Sequence, residues 1–219
     1  MIRLVGTAAV AVIICLVAAA VTFGWQHWEQ SIQAFEDADD FPSLTEDEGA
    51  MLRAALAGFR PYIRQQPSPT FCLPPVSLRA DRAVEQIKGM AERVSSHGMT
   101  DAQYRELTAR TVNNLHNDTY HRAALQSAQP ASIEGPAGAR FMIPRFWETA
   151  SCSGWVEAST PQVFGEEALV YLGYEGNDLE IARCHKQLVF LRRNRRLNGE
   201  VLRDWSVSRS ITENCLPVF

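Results

Sequence analysis

The apolar residues of this 219-residue chain change their spacing twice, and the three regimes predict three kinds of structure. From Leu4 to Gly24 the chain holds no charged residue. That run is long enough to cross a hydrocarbon core of about 30 Å at about 1.5 Å per residue. From Leu44 to about residue 128, apolar side chains recur at intervals of three and four, the period of a helix with one buried face. From Ala168 onward they come in alternating or continuous blocks separated by turn residues, as strands do.

Three helices are expected in the middle regime, or four where Asp118 caps a separate last one. "PSLTEDE" (42–48) carries two overlapping capping boxes, Ser43 with Glu46 and Thr45 with Glu48, and its acids suit the positive end of a helix dipole. Leu52, Leu56, Phe59 and Ile63 mark one face, and Pro61 should kink or end the helix. The connector "QQPSPTFCLPP" is too proline-rich for a helix and reads as extended. A second helix over about 78–97 has Val84, Ile87, Ala91 and Val94 as its stripe and Gly98 as its stop. A third begins at the Thr100–Gln103 capping box, buries Tyr104, Leu107, Thr111 and Leu115, and fades into the polar "NNLHNDTYH".

Prolines 130, 136, 144 and 161 alternate with Gly135, Gly138 and Gly154, so no long regular element fits residues 129–165. The same stretch holds Phe141, Phe146, Trp147, Trp155 and Phe164, too many aromatics for a free linker. Parts of it are expected to pair as short strands or pack on the sheet. "ALVYLGYE", "LEIARCHKQLVFLRR" and, after Asn198-Gly199, "EVLRDWSVSRSIT" then read as an antiparallel meander. In its last strand Val201, Trp205, Val207 and Ile211 should share one face; a bulge is expected near Gln187 in the strand before. The fold class is therefore α+β: an N-terminal transmembrane helix, then helices packed on one face of a C-terminal antiparallel β-meander. The organisation is a cytoplasmic tail (1–3), an anchor (4–25), an acidic membrane-proximal segment (26–41) and an extracytoplasmic domain (42–219). That domain divides into a helical part (42–128), a Pro/Gly/aromatic loop (129–165) and the meander (166–219).

Charge sharpens the topology. Arg3 precedes the apolar run, whereas Glu29, Glu36, Asp37, Asp39, Asp40, Glu46, Asp47 and Glu48 follow it, with no Lys or Arg until Arg53. Positive flanks stay cytoplasmic, so the expectation is a single-pass protein of the bacterial inner membrane with the bulk of the chain in the periplasm. Trp25 and Trp28 suit the interfacial belt at the outer end of a span. Ala18-Ala19-Ala20 also fits a small-residue cleavage site, and cleavage near Ala20 would instead release a secreted binding module.

Of five cysteines, Cys15 lies in the apolar run; Cys72, Cys152, Cys184 and Cys215 follow it and suit two disulfides, with the pairing open. No closely spaced cysteine pair announces a metal site, and no cofactor is implied. His116 and His121 are five apart, about 140° on a helix, and so do not share a metal-binding face. Asp118 and His121 have the spacing at which a carboxylate orients an imidazole. With Glu166, from the acids in and beside the long loop, they are the catalytic candidates of a periplasmic hydrolase. Neither a nucleophile elbow nor a P-loop is present.

Arg192, Arg193, Arg195 and Arg196, with Arg183, Lys186 and Arg203 nearby, make the last hairpin a candidate surface for a partner or an anion. The leading expectation is a non-enzymatic accessory or assembly subunit of a membrane protein complex. Its partners would be the lipid bilayer and another membrane protein, reached through the small-residue anchor and the basic hairpin. Nucleic acid is not expected outside the cytoplasm.

Overall fold

The computed structural model describes residues 40–59, 69–95, 102–117, 122–125, 133–135, 138–144, 152–176, 184–195 and 201–215. The apolar run, Trp25, Trp28 and the candidate cut site lie outside the described residues. No helix among the described residues is long and apolar enough to cross a membrane.

Helix α1 (Glu46–Gly58) starts where the sequence placed it, and of the two capping boxes the second forms. The Glu48 amide donates to Thr45 Oγ1 at 3.2 Å and the Thr45 amide donates to Glu48 Oε2 at 2.8 Å. The helix stops at Gly58, ahead of Pro61, with the Phe59 amide bonded to the Leu56 carbonyl at 3.0 Å. Helices α2 (Ala80–Ser95) and α3 (Ala102–Asn117) form where they were expected; Ala91 of the first stripe is half-buried, and the side chains of Val94 and Tyr104 fall outside those described. Val84, Ile87, Leu107, Thr111 and Leu115 are buried, and the Thr111 hydroxyl is satisfied by the Leu107 carbonyl at 2.9 Å.

Among the described residues eight strands form one sheet: β1 (Thr70–Cys72), β2 (Ile133–Glu134), β3 (Arg140–Met142), β4 (Gly154–Ala158), β5 (Gln162–Phe164), β6 (Glu167–Gly176), β7 (Cys184–Arg195) and β8 (Val201–Cys215). The order is β2-β3-β1-β4-β6-β7-β8, with β5 paired to β6. The expected β6–β7–β8 meander is present, but it is only part of the sheet. Strand β1, from the proline-rich connector, lies between β3 and β4 and is parallel to both. Its "TFC" core is short because prolines 69, 74 and 75 bracket it. The Pro/Gly/aromatic stretch supplies β2 to β5, so the expected loop is largely sheet among the described residues. The turn from β5 to β6 needs the left-handed φ of 71° at Gly165.

The expectation that helices cover one face is corrected by the packing. Ala168, Val170, Leu172, Tyr174, Val189, Leu191 and Trp205 share a core with Met51, Leu52, Ala55, Leu56 and Phe59 of α1. Leu169, Tyr171, Leu188, Phe190 and Ile211 pack instead with Val84, Ile87 and Met90 of α2 and Leu107 and Leu115 of α3. Neighbours in sequence point to opposite faces of a strand, so β6 and β7 are apolar on both sides because helices lie on both sides.

The last strand departs from its expected phase for a local reason. Trp205 faces the α1 core and Ile211 the α2–α3 core, although an odd-numbered alternation would put them together. The register passes from Phe190↔Arg209 to Leu191↔Val207, leaving Ser208 as the extra residue of a bulge that flips the pleat. The Ser208 hydroxyl donates to the Phe190 carbonyl at 3.0 Å. The bulge was expected nearer Gln187, which instead sits in regular pairing between Leu172 and Thr212.

Gln187 is buried, and its Oε1 has no hydrogen-bond partner among the described residues. A buried acceptor left unpaired costs about 1–3 kcal/mol. Gln187→Met, close in volume and free of the polar atoms, is therefore expected to raise the melting temperature by about 2–4 °C. A lower melting temperature in a thermal scan would show that the amide has a stabilising partner.

Candidate functional site

Helix α1 and the β7–β8 hairpin meet at a polar cluster that neither segment announces alone. Arg193 on β7 and Trp205 on β8 are directly opposite in the antiparallel register. The Arg193 guanidinium lies over the indole at 4.7 Å from the ring centroid, a cation–π contact. Asp47, in the first turn of α1, receives both: Arg193 Nη2 donates to Oδ2 at 2.5 Å and Trp205 Nε1 to Oδ1 at 2.9 Å. The helix N-terminus adds to the stabilisation of that carboxylate. Together they pin α1 to the hairpin.

Beside this cluster opens a cleft of about 500 Å³, bounded by Glu46, Asp47, Arg53, Arg193 and Asp204 with Ala50 on its wall. Its rim has both signs of charge. It is thus suited to a polar partner surface carrying both signs rather than to a simple polyanion. The Asp81 carboxyl is held below its ordinary pKa. The Arg79 side chain, which bonds it, lowers that pKa, assisted by the Arg82 backbone amide and by both arginine charges against some desolvation. It lies at the start of α2 and takes no part in the cleft.

The structure ties up part of the basic hairpin. Arg193 is engaged by Asp47 and Trp205; Arg192 is exposed, with Glu167 directly opposite on β6. Lys186 Nζ donates to Gln86 Oε1 on α2 at 2.7 Å. Arg195 lies on β7 opposite Val201, and Arg196 falls outside the described residues. Asp118 and His121 also fall outside them; His116 is exposed at the end of α3. Glu166 sits in the β5–β6 turn, its carbonyl accepting from the Arg193 amide at 2.9 Å.

Among the loop acids, Glu134 lies on β2, Glu157 on β4 and Glu166 and Glu167 at the β5–β6 turn, and Glu148 falls outside the described residues. Glu157 on β4 is opposite Gly173, whereas Glu167 begins β6, so about 20 Å of strand separates their positions at about 3.3 Å per residue. For that one pair the span along the strand is longer than the 5–9.5 Å carboxyl separation of glycoside hydrolases. No group of three or more histidine, cysteine, aspartate or glutamate side chains with metal-site geometry occurs among the described residues.

Cys72 and Cys152 form a disulfide, choosing among the pairings the sequence left open. Cys184 and Cys215 are Cα partners at the end of the β7–β8 ladder. Asp47 and Trp205 were legible only as a cap-region acid and a strand aromatic. Nothing in the sequence joins two residues 158 positions apart. The chain matches no protein-family model, no curated protein and no solved structure.

The Asp47 cluster carries a measurable share of stability. Asp47→Ala leaves the Arg193 guanidinium and the indole N–H without their acceptor. The side chains of Arg193 and Asp47 are 23% and 38% exposed, so solvent screens the pair and the cost stays below that of a buried ion pair. A loss of about 1–2 kcal/mol is expected, read as a melting temperature about 3–6 °C lower. An unchanged melting temperature would mean that the cluster does not hold α1 to the hairpin.

Proposed function

We propose that this chain is a non-enzymatic accessory or assembly subunit of a membrane protein complex. In this reading it is held in the bacterial inner membrane by residues 4–25, with its α+β domain in the periplasm. The observation that carries the reading is the position of the mixed-charge cleft on α1, the first described helix after the apolar run. Residues 25–44 join the two and, fully extended, would span at most about 70 Å. The uncharged run itself, basic before and acidic after, supports the orientation. Its alanines and glycines favour packing of the span against a partner helix.

Native mass spectrometry of the endogenous protein, extracted in mild detergent, tests this directly. The expected result is a chain with its N-terminus intact within a heavier assembly, whose mass identifies the partner. A chain beginning near Val21 and flying alone would replace the subunit reading with that of a released binding module.

A further inference from the structure

We propose that Cys184 and Cys215 are joined as a second disulfide, which clamps the open end of the β7–β8 hairpin. The two cysteines are the outermost partners of that ladder, next to His185↔Asn214 and Lys186↔Glu213. Directly opposed residues of an antiparallel pair have Cα atoms about 4.5 or 5.5 Å apart, depending on the rung. Both values fall within the 4.4–6.8 Å over which a disulfide closes. The register therefore brings the two Cα positions within the range a disulfide spans.

Elimination points the same way. Cys72 and Cys152 are already bonded to each other, and Cys15 belongs to the apolar run. Cys184 and Cys215 are thus each other's remaining partner. The clamp has a mechanical reason as well. Strand β8 ends the sheet order, so it is held by β7 on one edge alone. A bulge and a second register shift between Arg193 and Arg195 weaken the ladder toward the Asn198-Gly199 turn. A covalent tie at the far end keeps the edge strand paired and holds Trp205 under α1.

The chemistry balances as ordinary thiol–disulfide exchange. Two thiols lose two protons and two electrons to form the cystine, and a disulfide-bearing oxidant of the extracytoplasmic compartment is reduced to its dithiol. The inference rests on the periplasmic placement proposed above, and Cys72–Cys152 serves as its internal control.

The test is peptide mapping of the full-length protein. The chain is extracted without reductant into N-ethylmaleimide, digested, and analysed by mass spectrometry before and after reduction. The expected result is one linked peptide pair carrying Cys184 and Cys215, a second carrying Cys72 and Cys152, and maleimide at neither pair. Maleimide on Cys184 and Cys215 with Cys72–Cys152 intact would overturn the second disulfide and leave the compartment standing. Maleimide on all four would overturn both. A linked Cys184–Cys72 or Cys215–Cys152 peptide would overturn the pairing.

Discussion

Phe141→Ala is expected to destabilise the domain by about 3–5 kcal/mol, the range for truncating a buried aromatic without collapse of the space it leaves. Phe141 is fully buried on β3, opposite Phe71 in the parallel register and opposite Ile133 in the antiparallel one. Its ring stacks on Phe71 at 5.2 Å and tilts against Phe59 at 6.1 Å; Phe59 in turn meets the His185 ring edge-on at 5.2 Å. The ring therefore joins the end of α1 to β1 and β2 within the core on the α1 face of the sheet, and through Phe59 to β7. Room for it is made by Gly135, where an added Cβ would come within 2.4 Å of the ring. Phe164→Ala is the control, because Phe164 is only half-buried on β5 and lies under the Arg110 guanidinium at 4.5 Å. Urea denaturation should give a much larger loss for Phe141→Ala than for Phe164→Ala. Equal losses would mean that the aromatic cluster is not the centre of the core.

Phe141 also shows where the sequence stopped being legible. Its apolar character was plain, but it sits in a three-residue strand among prolines and glycines, too short for a period to declare itself. The long elements were different. Thr45 with Glu48, Leu107 with Thr111 and Leu115, and the "ALVYLGYE" block each satisfy a local rule, and each forms what that rule predicts. Parallel pairing of β1 with β3 and β4 has no local rule, since its partners arrive many residues later and the strand contributes three residues.

The face assignment failed for a related reason. Continuous apolar runs in β6 and β7 mean burial on both sides, which called for helices on both faces. The polar residues of β8 masked this. Its bulge at Ser208 then shifted the phase so that Trp205 and Ile211 part company. The candidate site was legible by halves. The basic hairpin was visible as a run of arginines, yet the acid that pairs with Arg193 lies in a helix cap, and the cleft exists only where the two meet.

The same long-range pairing makes the Cys72–Cys152 disulfide the other large contributor. Cys72 ends β1, and Cys152 lies two residues before β4, its parallel neighbour. Parallel strands cannot be joined by a tight turn, and here the bridged residues are 80 apart in sequence. Closing a loop of that length in the unfolded chain is worth about 4.5 kcal/mol in the chain-entropy treatment; measured losses for native disulfides run about 2–5 kcal/mol. The Ser153 amide, donating to the Thr70 carbonyl at 2.7 Å, holds the same junction by a hydrogen bond and is too weak to replace the link. The double variant Cys72→Ala/Cys152→Ala is therefore expected to melt roughly 10 °C below the wild type under oxidising conditions. Alanine is the right replacement because Cys72 is fully buried and a serine hydroxyl there would need a partner. Reductant should lower the wild type at least as far as the double variant. Any further fall of the double variant in reductant reads the bond between Cys184 and Cys215. A double variant that melts with the wild type would show that β1 and β4 stay together without the bridge, and that hydrogen bonding and ring contacts such as Phe71 against Tyr174 of β6 hold the parallel half of the sheet to the meander.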